Sequence, residues 1–143
     1  MPLSVWEIEP EHTLGIFEAG ISQRGEMAHL ASIIQPTIGV FTFLGDAHKE
    51  GFANQEEKVV EKCKLFNTAN TIIYPSAGLE KYIQKTAHQQ FITWGKGKDD
   101  DVQVLHETIQ QHQTIIQIQW KNKIITLHIP FTDKASVHNA LTC

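Results

Sequence analysis

The sequence predicts an α/β protein in which a mostly parallel, three-layer sheet is followed by a small antiparallel β layer. Short apolar runs alternate with amphipathic helical patterns in the first part of the chain, an order typical of right-handed βαβ units. Two runs with strict alternation of apolar and polar residues follow near the end, as in a hairpin. For 143 residues we expect one domain, divided into a parallel part (1–88), an antiparallel hairpin part (89–133) and the start of a helix (134–143).

Composition excludes several classes of function. Hydrophobic residues make up 41% of the chain and the formal net charge is −4, which fits a folded core and argues against nucleic-acid binding, since that usually needs a basic surface. No apolar run reaches the roughly 18 residues of a membrane span, and the first residues lack the basic start of a signal peptide. A chain of this length with two cysteines needs no disulfide framework. We therefore expect a cytoplasmic protein that binds neither nucleic acid nor membrane.

The parallel part is predicted from apolar runs and helical spacing. The runs 13–20 and 37–44 are nearly continuously apolar and end beside a glycine, as buried strands do. A third, shorter strand is predicted over 71–74. Helices are predicted over 25–34, 54–66 and 78–87. The second helix is expected to place four residues on its inner side: Val59, Val60, Cys63 and Phe66.

The antiparallel part begins with a strand predicted over 90–94. An exposed turn follows over 95–101, and its three consecutive aspartates lack the rest of a calcium-loop pattern, so we interpret it as a solvated hairpin tip. Apolar residues then alternate with polar ones over 116–120 and 125–129 around a short polar turn. This pattern predicts a hairpin.

Polar groups follow two of the predicted strands. Glu18 ends the first, and Asp46 and His48 follow the second. Ligands of parallel α/β sheets bind beyond the carboxyl ends of the strands, and magnesium takes few protein ligands, so Glu18 and His48 are candidate ligands of a divalent cation. The alternative is that Glu18 caps the following segment and His48 is a surface loop residue. Cys63 lies on an apolar helix face and is interpreted as a buried small hydrophobe.

A phosphate-binding P-loop is not found in the sequence. Gly15 and Gly20 have the required glycine interval, but Gly20 is followed by Ile21 and Ser22, so the lysine of the motif is missing. Residues 95–98 supply lysines without the helix or the hydroxyl. We therefore expect no triphosphate site of this type from this chain alone.

Four motifs carry a resemblance to a known family. They are residues 17–22 (FEAGIS), 25–27 (GEM), 36–40 (PTIGV) and 47–52 (AHKEGF). In this order the sequence resembles the central, ATP-binding domain of the Mur ligases, most specifically over 13–66 and more loosely to residue 139. The branch that it resembles adds D-alanyl-D-alanine to UDP-N-acetylmuramoyl-tripeptide, and residues 3–6 and 18–22 are similar to versions fused to an alanine racemase.

The resemblance implies roles for four residues. Glu18 and His48 match family ligands of Mg²⁺, Lys62 matches the lysine that is carbamylated, and Asn139 lies in a block similar to the one that contacts the adenine of ATP. A carbamate would turn the Lys62 cation into an anion that helps to hold magnesium. The implied reaction is phosphorylation of a peptide carboxylate by ATP, followed by attack of the D-alanyl-D-alanine amine on the acyl phosphate. The resemblance also implies further ligase domains in cis, so we expect a piece of a larger ligase that is inactive alone.

Two other functions remain open at this point. The chain could be a non-catalytic binding or interaction module that kept the ligase fold; charged groups at strand ends argue against it. A stand-alone metal-dependent hydrolase using Glu18 and His48 lacks a clear third ligand.

Overall fold

A computed structural model describes residues 5, 7–42 and 52–142 of the chain. Among them are three α-helices, six β-strands and one short 3-10 helix. In chain order they are α1 (Glu26–Ile34), β1 (Ile38–Val40), α2 (Gln55–Cys63), the 3-10 helix Lys64–Phe66, β2 (Thr71–Pro75), β3 (Gln90–Gly95), β4 (Val102–Gln110), β5 (Gln113–Trp120), β6 (Lys123–Ile129) and α3 (Lys134–Thr142).

All six strands join one sheet in the order β1-β2-β3-β4-β5-β6. Strands β1 to β4 pair in parallel, although β3 and β4 share only two registered pairs, Trp94 with Val102 and Gly95 with Gln103. Strands β4, β5 and β6 pair antiparallel. The predicted fold class is therefore confirmed, and the antiparallel strands extend the parallel sheet. The division of the chain at residues 88 and 133 stays a prediction.

Helices α1 and α2 confirm two predicted helices. Asn54 caps α2, because its Oδ1 accepts the backbone N–H of Glu57 at 2.8 Å, as an N-cap residue should. The inner face of α2 carries Val59 into the core, whereas Val60 is 48% exposed, so its predicted inward position is wrong. Successive helix positions lie about 100° apart, and neighbouring valines cannot both face the sheet.

The core consists of two clusters on opposite faces of the sheet. The first packs α2 and the 3-10 helix against β2, and its buried members are Phe41, Val59, Phe66, Ala69, Ile72, Tyr74, Leu79 and Ile83. The second packs α3 against the antiparallel strands, with Val104, Ile116, Ile118, Ile129 and Val137 buried. Because Ile72 registers with Phe91, which joins the first cluster, Trp94 points to the other face. There its ring contacts His138 of α3. The sheet therefore lies between α2 on one face and α3 on the other, which gives three layers.

The strand predicted over residues 13–20 is wrong. These residues form no strand, and Leu14 and Ile16 are 74% and 87% exposed. An apolar run becomes a buried strand only where a neighbouring strand satisfies its backbone, and the described pairing of β1 is with β2 alone. The run is apolar, but its side chains Leu14 and Ile16 are exposed and not buried as predicted.

The strand predicted over 37–44 is shorter and lies elsewhere in the sheet than expected. Strand β1 covers Ile38–Val40 and begins the strand order, and both Ile38 and Val40 are more than 40% exposed. It is thus an edge strand among the described residues, not the central strand that its apolar run suggested. Residues 43–51 lie outside the described part.

The helix predicted over 78–87 is also wrong. Residues 77–82 form turns, and Gly78 has a φ of +81°, which a right-handed helix does not allow. Two separate helical hydrogen bonds form, from Glu80 N to Ser76 O and from Ile83 N to Leu79 O, without the run between them that a helix needs.

The segment 95–101 is an exposed turn, as predicted, but it joins two parallel strands and is not a hairpin tip. Asp100 accepts the N–H of Gly97 at 2.8 Å, and Asp101 accepts the N–H of Thr93 at 2.8 Å. Two of the three aspartates thus stabilise the turn. Strand β4 was missed because a register shift between Val104 and His106 breaks its alternation of apolar and polar residues.

Candidate functional site

Lys62 lies at the carboxyl end of β1. It projects from α2, and its Nζ is 5.8 Å from the ring centroid of Phe41, the residue that follows β1. Burial of the amine lowers the pKa of Lys62, and the nearby charge of Lys58 lowers it further, while the carboxylate of Glu18 opposes both. A lower pKa favours the neutral amine of Lys62, which is its nucleophilic form. The half-buried side chain of Lys62 thus lies at the edge of the sheet where parallel α/β proteins bind ligands.

Glu18 lies close enough to Lys62 for their charges to interact. It belongs to an exposed segment without regular structure that leads into α1. A cleft of about 440 Å³ runs beside it, and the side chains that line it include Gln23, His29, Leu30 and Ile34. Thus two of the four predicted site residues, far apart in the chain, lie within range of each other's charge.

The carboxylate of Glu26 holds the segment between Glu18 and α1 in place. Glu26 accepts the N–H of Ser22 at 2.6 Å, the hydroxyl of Ser22 at 2.7 Å and the N–H of Gln23 at 3.0 Å. These bonds lower the pKa of Glu26, because they stabilise its charged form. A carboxylate in the first turn also interacts favourably with the positive end of the helix.

Glu61 is a residue that the sequence analysis missed. Its side chain is buried in α2, beside Lys62, and it accepts the N–H of Gly25 and the Lys64 ammonium, both at 2.7 Å. The only signal in the sequence is the opposite charge of residues 61 and 64, which share one side of a helix. That signal identifies an ion pair but not its contact with Gly25.

His48, the second predicted metal ligand, lies outside the described residues. Across 5, 7–42 and 52–142, no group of three or more His, Cys, Asp or Glu side chains could hold a metal ion. Glu18 is therefore the one predicted magnesium ligand that the structure describes.

Asn139 lies away from Glu18 and Lys62. It is exposed on α3, which packs on the opposite face of the sheet from α2. Its neighbour His138 meets Trp94 edge to face, with ring centroids 5.2 Å apart. The Trp94 indole N–H is buried without a hydrogen-bond partner.

Cys63 fits its interpretation as a small hydrophobe. It packs against the first core cluster, and burial raises the pKa of its thiol to about 11. At neutral pH the thiol is therefore protonated, and a protonated thiol is a poor nucleophile.

Comparison with known families shows to which family the chain belongs. The model of the Mur ligase middle domain matches residues 1–143. The chain belongs to this family. The family predicted from the four motifs is confirmed, and with it the assignment of the fold. Within the part of this Mur ligase domain that the structure describes, no helix is long and apolar enough to cross a membrane.

Curated relatives resemble the domain over nearly its whole length. It is 25% identical over 145 residues to the UDP-N-acetylmuramoyl-tripeptide–D-alanyl-D-alanine ligase of Treponema pallidum, covering 99% of this chain and 30% of that protein. It is 30% identical over 146 residues to the ligase of the same name from a Synechocystis species, covering 98% and 29%. The chain thus spans less than a third of the length of these relatives.

Solved structures share the fold. MurF from Acinetobacter baumannii matches with a TM-score of 0.74 at 20% identity, over 95% of this chain and 32% of that one. MurF ligase from Thermotoga maritima, solved in complex with ADP, matches with a TM-score of 0.68 at 19% identity, over 85% and 29%. Both place the six-stranded sheet of this Mur ligase domain in a known architecture.

Proposed function

We propose that this chain is one part of an ATP-dependent ligase that adds D-alanyl-D-alanine to UDP-N-acetylmuramoyl-tripeptide. The observation that carries the proposal is the half-buried position of Lys62 at the carboxyl end of β1, within range of the charge of Glu18. Membership of the Mur ligase family supports it, as do the names of the curated relatives. The substrates and the other ligase domains in cis are part of the proposal.

The two described side chains fit a magnesium site under one condition. A carboxylate such as that of Glu18 is the oxygen ligand that magnesium prefers. An ammonium at Lys62 would repel the cation, whereas a carbamate would offer oxygens. Lys62 is suited to this change because burial favours its neutral amine. The ammonium first releases one proton to give the neutral amine, which attacks CO₂; a C–N bond forms and a second proton leaves to solvent, so that a cation becomes an anion.

The remaining assignments rest on the resemblance to the Mur ligase family. We propose His48 as a further magnesium ligand and Asn139 as a residue that binds the ATP cofactor. Bound magnesium would offset the charge of the transferring phosphoryl group. Glu18 would hold that cation at the sheet edge, and the carbamate of Lys62 would balance its charge. In the proposed reaction the carboxylate of the tripeptide takes the γ-phosphoryl group of ATP. The amine of D-alanyl-D-alanine then forms the amide bond as phosphate leaves.

Carbamylation is tested by NMR with ¹³C-bicarbonate. We expect one carbamate signal in the wild-type chain, reversible on removal of bicarbonate, and none in Lys62→Arg. Lys81→Arg is the matched control, since Lys81 is an exposed lysine paired with Glu56. A signal that persists in Lys62→Arg would contradict the assignment.

Magnesium binding is tested by thermal unfolding in bicarbonate. A ligand that binds only the folded state raises the midpoint, so we expect a saturable rise in the wild type and a smaller one in Glu18→Ala and His48→Ala. Equal binding by all three would rule out the proposed ligands. Mg-ATP is expected to add nothing beyond magnesium, because the chain lacks a P-loop. A further rise with ATP, lost in Glu18→Ala, would favour a stand-alone nucleotide-binding module instead.

A further inference from the structure

A buried carboxylate of α2 reaches the beginning of α1. Glu61 is 3% exposed, and its two oxygens accept the N–H of Gly25 and the ammonium of Lys64. The N–H of Met27 also stabilises its charge. Gly25 is the N-cap of α1, has a φ of +88°, and offers no capping side chain. Glu61 therefore supplies from another helix the acceptor that this helix end lacks.

The contact joins the segment that carries Glu18 to the helix that carries Lys62. Gly25 ends the segment that begins at Glu18, and bonds to Glu26 fix its middle at Ser22 and Gln23. Gly25 and the middle of the segment are therefore both tied to the start of α1. On the other side of the contact, Glu61 directly precedes Lys62 in α2.

A second contact between the same parts is weaker. Arg24 forms an ion pair with Glu57 of α2, but the Arg24 side chain is 64% exposed, and ion pairs of this kind contribute little. The Glu61 side chain is 4% exposed, and a hydrogen bond to a buried charged group is among the strong ones. Glu61 thus forms the more buried of these two polar links between the start of α1 and α2.

We propose that Glu61 is a positioning residue whose bond to Gly25 sets how closely Glu18 approaches the amine of Lys62. The inference rests on the proposed function for its purpose, since Glu18 and Lys62 are the site that it would position. Lys64 contributes by neutralising the buried carboxylate, whose desolvation would otherwise be costly.

The test measures the approach itself, without nucleotide, metal or bicarbonate. The substitutions Glu18→Cys and Lys62→Cys are combined in a chain whose own cysteines are replaced (Cys63→Ala and Cys143→Ala). A short thiol-specific cross-linker then reports how often positions 18 and 62 meet. With Glu61→Ala we expect cross-linking to slow about tenfold or more, because loss of orientation sharply lowers the rate between tethered groups. Glu61→Gln keeps an oxygen for the Gly25 N–H and should restore most of the rate.

Matched variants separate positioning from stability. Val59→Ala removes core contacts of α2 and should lower the unfolding midpoint while the cross-linking rate stays unchanged. Glu56→Ala removes an acidic residue of α2 that bonds Lys81 and Tyr82 and should also leave the rate unchanged. If Glu61→Ala is not folded by circular dichroism, the double variant Glu61→Met with Lys64→Met removes the link without burying an unpaired charge.

A folded variant without Glu61 that cross-links at the wild-type rate would overturn the proposal. So would equal slowing in Val59→Ala. Different measurements would contradict the proposed function, namely the absence of a carbamate signal or of magnesium binding. The two proposals can therefore fail independently of each other.

Discussion

Gly39 of β1 packs directly against the ring of Phe66, where a Cβ at position 39 would lie 2.8 Å from Cγ of Phe66. Phe66 is itself wedged edge to face against Phe41, with ring centroids 6.0 Å apart. The close approach brings the 3-10 helix after α2 onto β1. Glycine at position 39 thus helps to place α2, and with it Lys62, at the sheet edge.

Gly39→Ala is expected to destabilise the fold. The added methyl must displace a buried aromatic ring, which typically costs about 1–3 kcal/mol in the free energy of unfolding. Gly20→Ala is the control, because nothing lies within 4 Å of a Cβ at position 20 and surface changes usually stay within about 0.5 kcal/mol. Urea unfolding measures both. Equal stability of the two variants would show that Phe66 relaxes without cost.

Tyr74→Phe tests a buried hydroxyl. Tyr74 is fully buried in β2, and its Oη donates to Glu80 at 2.7 Å; loss of this bond should cost about 1 kcal/mol. Tyr82→Phe, whose hydroxyl bonds the exposed Glu56, should cost less. Urea unfolding at pH 7 compares the variants, and a larger loss for Tyr82→Phe would contradict the argument.

The same hydroxyl predicts a response to alkali. Burial, together with the bond to Glu80, raises the pKa of Tyr74 above its ordinary value of 10.0. The unfolded chain therefore releases this proton first, and the stability that Tyr74 contributes is present below about pH 10 and is lost as the pH rises further. Thermal unfolding between pH 8 and 11 should show a steeper decline for the wild type than for Tyr74→Phe. Parallel curves would contradict this.

Asn54→Ala should weaken the start of α2. The side chain of Asn54 accepts the N–H of Glu57, and loss of such a cap costs about 1 kcal/mol. Asn54→Ser should restore most of this stability, since a serine oxygen can accept the same bond. Chemical unfolding compares the three proteins, and a serine variant as unstable as the alanine variant would argue against capping.

His138 should make the fold sensitive to acid. Burial lowers the pKa of His138, and the charge of Lys134 acts in the same direction, while Glu107 on β4 opposes them and Lys96 adds to the lowering. The unfolded chain then binds the proton more readily, so stability falls as the pH drops through the ordinary histidine range. Unfolding midpoints at pH 7.5 and pH 5 should differ less in His138→Gln than in the wild type. An equal difference would show that other groups carry the acid response.

The elements that could be predicted from sequence are those specified by local pattern. Helices α1 and α2 follow from apolar residues three and four apart, and strands β5 and β6 follow from strict alternation around a polar turn. The predictions at 13–20 and 78–87 are wrong. A continuous apolar run does not specify the strand that pairs with it, and the hydrogen bonds of the turns over 77–82 do not continue into a helix.

The candidate site divides in the same way. The residue types at Glu18 and Lys62, and the motifs around them, are sequence properties, and they were sufficient to predict the Mur ligase family that the comparison confirms. Only the tertiary structure brings Lys62 within range of the charge of Glu18 and places Glu61 at the start of α1. Such contacts depend on how α1 and α2 pack against β1, and that packing is the sum of many buried contacts no single segment encodes.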